Sequence, residues 1–371
     1  MKNKKKLFLI VLFSILFCGW GTVGHKIINT KTVVSFPPQM SNFVSWSTYL
    51  ADHASDADKR KSSDPNESPK HFIDIDEYSE FNNSGRIIQY YDSVVTKYGS
   101  STVIGIGILP WAIINTCDSL KAQFSRRDWN KAKQTAADLG HYVGDSHMPL
   151  HITKNYNGQY TGQYDVHSRY ETTMIGKYEN IINYTPDSAE YVSDIPDFVF
   201  TYIYGNYTYV DSVLNADKTA KSYTGGNTGS DTYYQKLWEL TGNFTIHLFS
   251  EASSRLASLI YTAWVNAGSP DFTISAVDNI SSTPKDFRLL QNYPNPFNPS
   301  TTISYNIPKE ENVVLKLYNM LGQEVKTLIN ERESSGQHSF RFTADNLTSG
   351  IYLYRLTAGN FGQSKKMIIL K

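Results

Sequence analysis

The sequence predicts an all-α domain followed by a small all-β, immunoglobulin-like sandwich. Three observations carry that prediction. From Trp20 to about Ala267, apolar residues recur near 3.6-residue spacing, the period of a helix that buries one face. Beyond about residue 288 the period falls to two, in short runs separated by turn residues. Between them, GSPDFTISAVDNISSTPKDF (268–287) is rich in Ser, Asp, Pro and Thr and reads as a linker. A length of 371 residues suits two domains, or one larger domain with appendages.

At the N-terminus, MKNKKKLFLIVLFSILFCGW sets four lysines before an apolar run from Leu7 to Phe17. That is the charged and apolar plan of a secretory signal peptide. The apolar run is about eleven residues, against the roughly 20 a membrane-spanning helix needs. Residues 1–19 are therefore assigned to a signal, with cleavage after Gly19 and Trp20 as the first mature residue. Phe17 fits the small-residue rule at the −3 position poorly, so the cleavage point stays open. Cys18 would leave with the signal. Cys117 would then stand alone and no intramolecular disulfide is expected, so stability must come from core burial or from metal.

In the helical region, DWNKAKQTAADLGHYVGD puts Ala132, Ala136, Leu139, Tyr142 and Val143 on one helix face, and Pro149 stops that helix. The stretch from Tyr233 to Gly268 reads as another long helix or a pair, with Leu237, Leu240, Phe244, Leu248, Leu256, Ile260 and Trp264 as its apolar positions. The Tyr- and Asn-rich NYNGQYTGQYD reads as a loop. In the β region, TTISYNIP, NVVLKLYN, HSFRFTA, GIYLYRLTAG and KKMIILK are the expected strands. The 35 basic and 35 acidic residues cancel, so no overall charge marks a polyanion binder. A hydrophobic content of 40% is enough for a sizeable core.

The β region also carries NYPNPFNPSTTI, LYNMLGQEVKTL, SGIYLYRLTAG and a terminal KKMIILK. Together they resemble the C-terminal sorting domain of type IX secretion substrates, over residues 288–371. The resemblance implies export across both membranes of a Gram-negative cell, to a secreted or cell-surface location, with the secretion machinery as partner. The chemistry must then lie in residues 20–267.

There, LGHYVGDSHMPLH gathers three histidines and an aspartate. His141 and Asp145 are four apart, so both leave one helix face. His151 follows the Pro149 break and can serve a second metal nearby. His147 sits about 240° around the helix from His141, and is expected at the surface or in a hydrogen bond rather than at a metal. DVHSRYETTM adds His167 and Glu171, again four apart. Upstream, Asp56, Asp58 and His71 can meet across a loop, with either aspartate in play. His25 lies five residues after Trp20, whose freed α-amino group and carbonyl could chelate a metal. Nitrogen and carboxylate ligands without thiolate suit zinc. Five of the nine histidines fall in this set, and clustered polar groups need partners.

The order W–H…D…H…H-x3-D-x5-H…H-x3-E resembles the zinc-dependent phospholipase C and single-strand nuclease superfamily, over about Trp20 to Ala267. The resemblance implies an all-α fold with three zinc ions in a cleft. By position, the first ion would take Asp58, His71, His141 and Asp145. The second would take His151, His167 and Glu171. The third would take the Trp20 nitrogen and carbonyl oxygen, His25 and Asp145. Asp58 is preferred over Asp56, because ADKR looks like the family's Ala-Asp before a basic residue, and Asp58 would double as general base. A secreted, monomeric phosphoric ester hydrolase follows, activating water for attack on phosphorus.

The substrate reading leans toward a phosphodiester of the phospholipase C kind. Glu171 stands where the nuclease branch has Asp, and the segment between His151 and His167 is short and lacks a Gly-Gly-Asn stretch. A nuclease is the alternative: the short Trp20–His25 gap looks nuclease-like, and Tyr156, Tyr160 or Tyr164 could stack on a base. A surface zinc-binding protein without catalysis is a third reading. Against it, the second set offers three ligands, where a structural zinc site is usually closed by four.

Overall fold

The computed structural model describes residues 21–272, 287–292, 295–344 and 347–370. They fall into two compact units that divide between Phe272 and Thr273. The expected signal peptide, Trp20 and most of the expected linker lie outside the described residues.

Six longer helices frame the first unit: α1 (Gly21–Thr32), α2 (Leu109–Ser125), α3 (Trp129–Ser146), α4 (Ile195–Tyr207), α5 (Val210–Tyr223) and α6 (Asp231–Asn266). Helix α3 begins where the Asp128 side chain accepts the Lys131 N–H at 3.4 Å, occupying one of the donors a helix start leaves open. Its predicted face, Ala132, Ala136, Leu139, Tyr142 and Val143, is buried. It ends at Ser146, and Pro149 opens a short 3₁₀ turn, Pro149–His151, which re-aims His151. The second long apolar pattern is a single 36-residue helix, α6. Leu240, expected on its apolar face, is 40% exposed.

Two glycines let α1 lie against α3. A Cβ on Gly140 would fall 1.8 Å from Asn29 Oδ1, and one on Gly144 would fall 2.7 Å from His25 Nδ1. The tyrosine-rich loop is tied down by a buried ion pair. The Arg169 guanidinium reaches Asp217 of α5 at 2.6 Å and donates to Tyr164 O at 2.7 Å. Gln163 donates to the other Asp217 oxygen at 2.9 Å.

The second unit is antiparallel. Strands β1 (Arg288–Leu289), β2 (Ser300–Ile307) and β5 (Gly336–Thr343) form one sheet in the order β1-β2-β5. Strands β3 (Glu311–Tyr318), β4 (Glu324–Glu333), β6 (Gly350–Ala358) and β7 (Phe361–Ile369) form the other in the order β4-β3-β6-β7. Alternate residues from both sheets, including Ile303, Tyr305, Leu315, Leu317, Tyr354, Leu356 and Met367, share one core. Strands β1 and β4 were not anticipated. In β4 only Ile329 is buried, and the strand carries the charges that keep a sheet edge from pairing with a neighbour.

Candidate metal centre

The helical unit brings together eight of the predicted side chains as three groups, each with ligand atoms within 4.8 Å of one another and the first two sharing His141: His25, His141 and Asp145; Asp58, His71 and His141; and His151, His167 and Glu171. All eight are buried. Asp145 faces two ways. Its Oδ2 lies 3.0 Å from His71 Nδ1 and 3.3 Å from His141 Nε2, while its Oδ1 lies 3.4 Å from His25 Nε2. Asp58 Oδ1 is 3.5 Å from both His71 Nδ1 and His141 Nε2. Asp56 points elsewhere, to His53 Nδ1 and Lys59 Nζ at 2.6 Å each. Trp20 lies outside the described residues; its neighbour Gly21 donates its N–H to Glu171 Oε1 at 3.0 Å.

The outer nitrogens of these histidines show what the inner ones do. His141 Nδ1 donates to Ala54 O (2.7 Å), His151 Nδ1 to His71 O (2.8 Å) and His167 Nδ1 to Tyr156 O (3.2 Å). A carbonyl oxygen only accepts, so each Nδ1 carries the proton, and in the neutral ring each Nε2 keeps a bare lone pair. Yet His151 Nε2 and His167 Nε2 stand 3.2 Å apart, with Glu171 Oε2 2.5 Å from His167 Nε2. Likewise His141 Nε2 stands 3.0 Å from His71 Nδ1. Histidine nitrogens and carboxylate oxygens thus crowd together at hydrogen-bond distance. Among the described residues, buried Asp58 Oδ2, Asp145 Oδ1 and Glu171 Oε2 make no hydrogen bond, while Asp58 Oδ1 has Lys61 Nζ 2.7 Å away. Such groups cost several kcal/mol unless a cation joins them. The donor set therefore fits a nitrogen- and oxygen-preferring divalent ion such as zinc.

Charge tells the same story. Burial opposes a proton on His141 and on His151, but Asp145, aided by Asp58 and Glu171 respectively, outweighs it and raises each to about 10. For Glu171, burial opposes ionisation, yet His167 and His151 hold it down at about 2. His25 runs the other way: burial and neighbouring His141 lower its pKa, so its ring stays neutral and able to ligate. The cluster draws positive charge, supplied by protons or by metal, and metal binding would release protons.

Three residues behave in ways the sequence did not disclose. His147 takes the hydrogen-bonding rather than the surface alternative, and it is fully buried. Its Nδ1 donates to Val143 O at 2.8 Å and its ring stacks on Tyr202. The helical angle rightly turns it from the cluster, but every residue of α3 from Leu139 to Ser146 is buried, so no direction around the helix end leads to water. Lys61 places Nζ 2.7 Å from Asp58 Oδ1, with its side chain only 12% exposed. Glu67, four residues before His71, is buried beneath it. Glu171 itself lies on a π-helical stretch, Arg169–Met174, a widened turn that recurs at functional sites.

The helical scaffold, its buried histidine–carboxylate groups able to hold metal, and a match to a nuclease family model together support the class of phosphodiester hydrolases. Residues 20–262 match the family model described as S1/P1 Nuclease. The chain belongs to the S1/P1 nuclease family, within the phospholipase C and nuclease superfamily. Residues 291–370 match the secretion system C-terminal sorting domain, which marks the chain for type IX secretion and for a secreted or cell-surface location. No curated protein matches the chain. Among solved structures, the alpha toxin from Clostridium absonum is similar at 12% identity and a TM-score of 0.40, covering 94% of this chain and 96% of that one. The Clostridium perfringens alpha-toxin from avian strain SWCP is similar at 12% identity and a TM-score of 0.40, covering 94% and 98%.

Proposed function

We propose that this chain is an exported, zinc-dependent phosphodiester hydrolase with three zinc ions. The observation that carries the proposal is the convergence of five buried histidines on three buried carboxylates. Asp58, His71, His141 and Asp145 hold one ion and His151, His167 and Glu171 a second. His25, Asp145 and the Trp20 amino nitrogen and carbonyl oxygen hold a third. Bound zinc would supply phosphate polarisation and a water of lowered pKa. Asp145 would contribute to two of the sites, since its Oδ2 faces His71 and His141 and its Oδ1 faces His25. Asp58 takes the proton of the attacking water, and Lys61, beside it, offers a cation to a phosphate oxygen. Asp58→Asn is expected to keep its metal and lose turnover. Unchanged turnover at full metal content would exclude the base role.

Two substrate classes are supported by different observations. The family match across residues 20–262, together with the short Trp20–His25 gap, supports a single-strand nuclease. Glu171 and the short His151–His167 segment support phospholipase C-like action. The match extends over most of the helical unit, whereas the opposing signs are one ligand and one loop. Nucleic acid is therefore the first substrate to test and choline phospholipid the second. The protein should hydrolyse a chromogenic phosphodiester, lose that activity to chelator and regain it with zinc. Parallel assays on single-stranded DNA and phospholipid micelles assign the substrate. A zinc-loaded protein inert toward all three would overturn the proposal.

A further inference from the structure

The five cluster histidines are not held alike. Three give their outer nitrogen to a backbone carbonyl, at Ala54, His71 and Tyr156. His71 does not. Its Nδ1 faces Asp58, Asp145 and His141, and its Nε2 makes no conventional hydrogen bond. Glu67 Oε1 lies 3.5 Å from that nitrogen. Glu67 is 1% exposed, far too buried for a carboxylate without a task nearby.

What surrounds Glu67 keeps it charged. Lys70 Nζ lies 2.9 Å from Oε2, Arg60 donates to Oε1 at 3.4 Å, and the Tyr142 hydroxyl donates to Oε1 as well. Arg60 in turn is tied to Asp138 of α3 at 3.0 Å. Burial opposes the charge, and these three donors offset it. Tyr142 directly follows His141, so one carboxylate spans the two elements that supply His71 and His141.

We propose that Glu67 is a positioning residue for the ion held by Asp58, His71, His141 and Asp145: it accepts the Nε2 proton of His71 and so fixes the tautomer whose Nδ1 lone pair faces that ion. The inference rests on the metal reading above. A carboxylate acceptor makes the imidazole a better donor to metal than a carbonyl does, and removing such a partner typically costs about 10–100-fold in metal affinity. Unlike His141, His151 and His167, His71 thus depends on a side chain rather than on the backbone.

The test compares wild type with Glu67→Gln, nearly equal in size but uncharged, and with Tyr142→Phe, which leaves the carboxylate and its His71 contact in place. Zinc per chain is measured after dialysis against graded chelator, and the His71 tautomer is read by imidazole ¹⁵N resonances. Glu67→Gln should release one class of zinc at about 10–100-fold lower chelator concentration and broaden or shift the His71 Nε2–H resonance. The zinc held by His151, His167 and Glu171 should be released as in wild type, and Tyr142→Phe should behave nearly as wild type. If wild type binds zinc and Glu67→Gln releases it identically with His71 unchanged, the Glu67 role is overturned while the metal reading stands. Uniform loss of all zinc in both variants also overturns it, in favour of a merely structural role. A wild type that binds no zinc overturns the metal reading itself.

Discussion

Replacing Gly144 by alanine sets two effects of known size against each other. In an ordinary helix interior the exchange stabilises by ~1 kcal/mol, because alanine loses less backbone entropy. Here the new methyl would lie 2.7 Å from His25 Nδ1 and 3.0 Å from its Cε1. His25 has nowhere to go: it is fully buried and stacks on His141 with ring centroids 3.8 Å apart and planes 17° from parallel. Overpacking of this kind costs about 1–3 kcal/mol, so the net change is a destabilisation of about 0–2 kcal/mol. The metal readout is sharper. A displaced His25 withdraws Nε2 from Asp145 Oδ1, now 3.4 Å away, so the variant should lose the ion those two share and keep the others. Urea denaturation and elemental analysis of the same preparation read both effects. A variant that is more stable by ~1 kcal/mol and carries a full metal complement would refute the reasoning.

Two further outcomes are expected. His147 is buried neutral, its pKa pushed by burial from 6.5 down to about 4. Its contribution to stability is therefore complete above pH 6.5 and is lost as pH falls from 6.5 toward 4, a change of up to ~3 kcal/mol. His147→Gln should flatten the stability–pH curve in that window, and denaturation midpoints as steep as in wild type would show that another group is responsible. Lys61→Ala should lower kcat by roughly 100-fold while leaving metal content intact, as loss of one charge-stabilising donor does elsewhere. An unaltered rate would remove Lys61 from the phosphate site.

The parts of this site that could be read from the chain are those in which spacing and geometry coincide. His141 and Asp145 are neighbours on a helix face at any moment when the helix exists, and Pro149 is enough to turn His151 away from that face. The change of period near residue 288 marked the β unit because alternation survives wherever one strand face is buried. Other parts were illegible because they are contacts through space. Lys61 and Glu67 look like surface residues in a charged run, and only the folded chain sets one against Asp58 and the other beneath His71. His147 shows a different limit. A helical wheel gives direction but not what lies in that direction, and here it is Tyr202 rather than solvent. Strand β4 escaped notice because an edge strand has little burial to imprint on its sequence.

The carbonyl of Tyr156, which holds the outer nitrogen of His167, belongs to the tyrosine loop whose tips, Tyr160 and Tyr164, are 70% and 64% exposed. One short segment therefore serves as a buttress for a metal ligand and as a surface open to whatever molecule arrives. Its far end is pinned as well, through Gln163 and Arg169 to Asp217. Lengthening the loop near Tyr156 would move the carbonyl and slacken His167, so its length bears on His167 as well as on the substrate. Side-chain exchange at the two exposed tyrosines would change that surface without moving the carbonyl that holds His167.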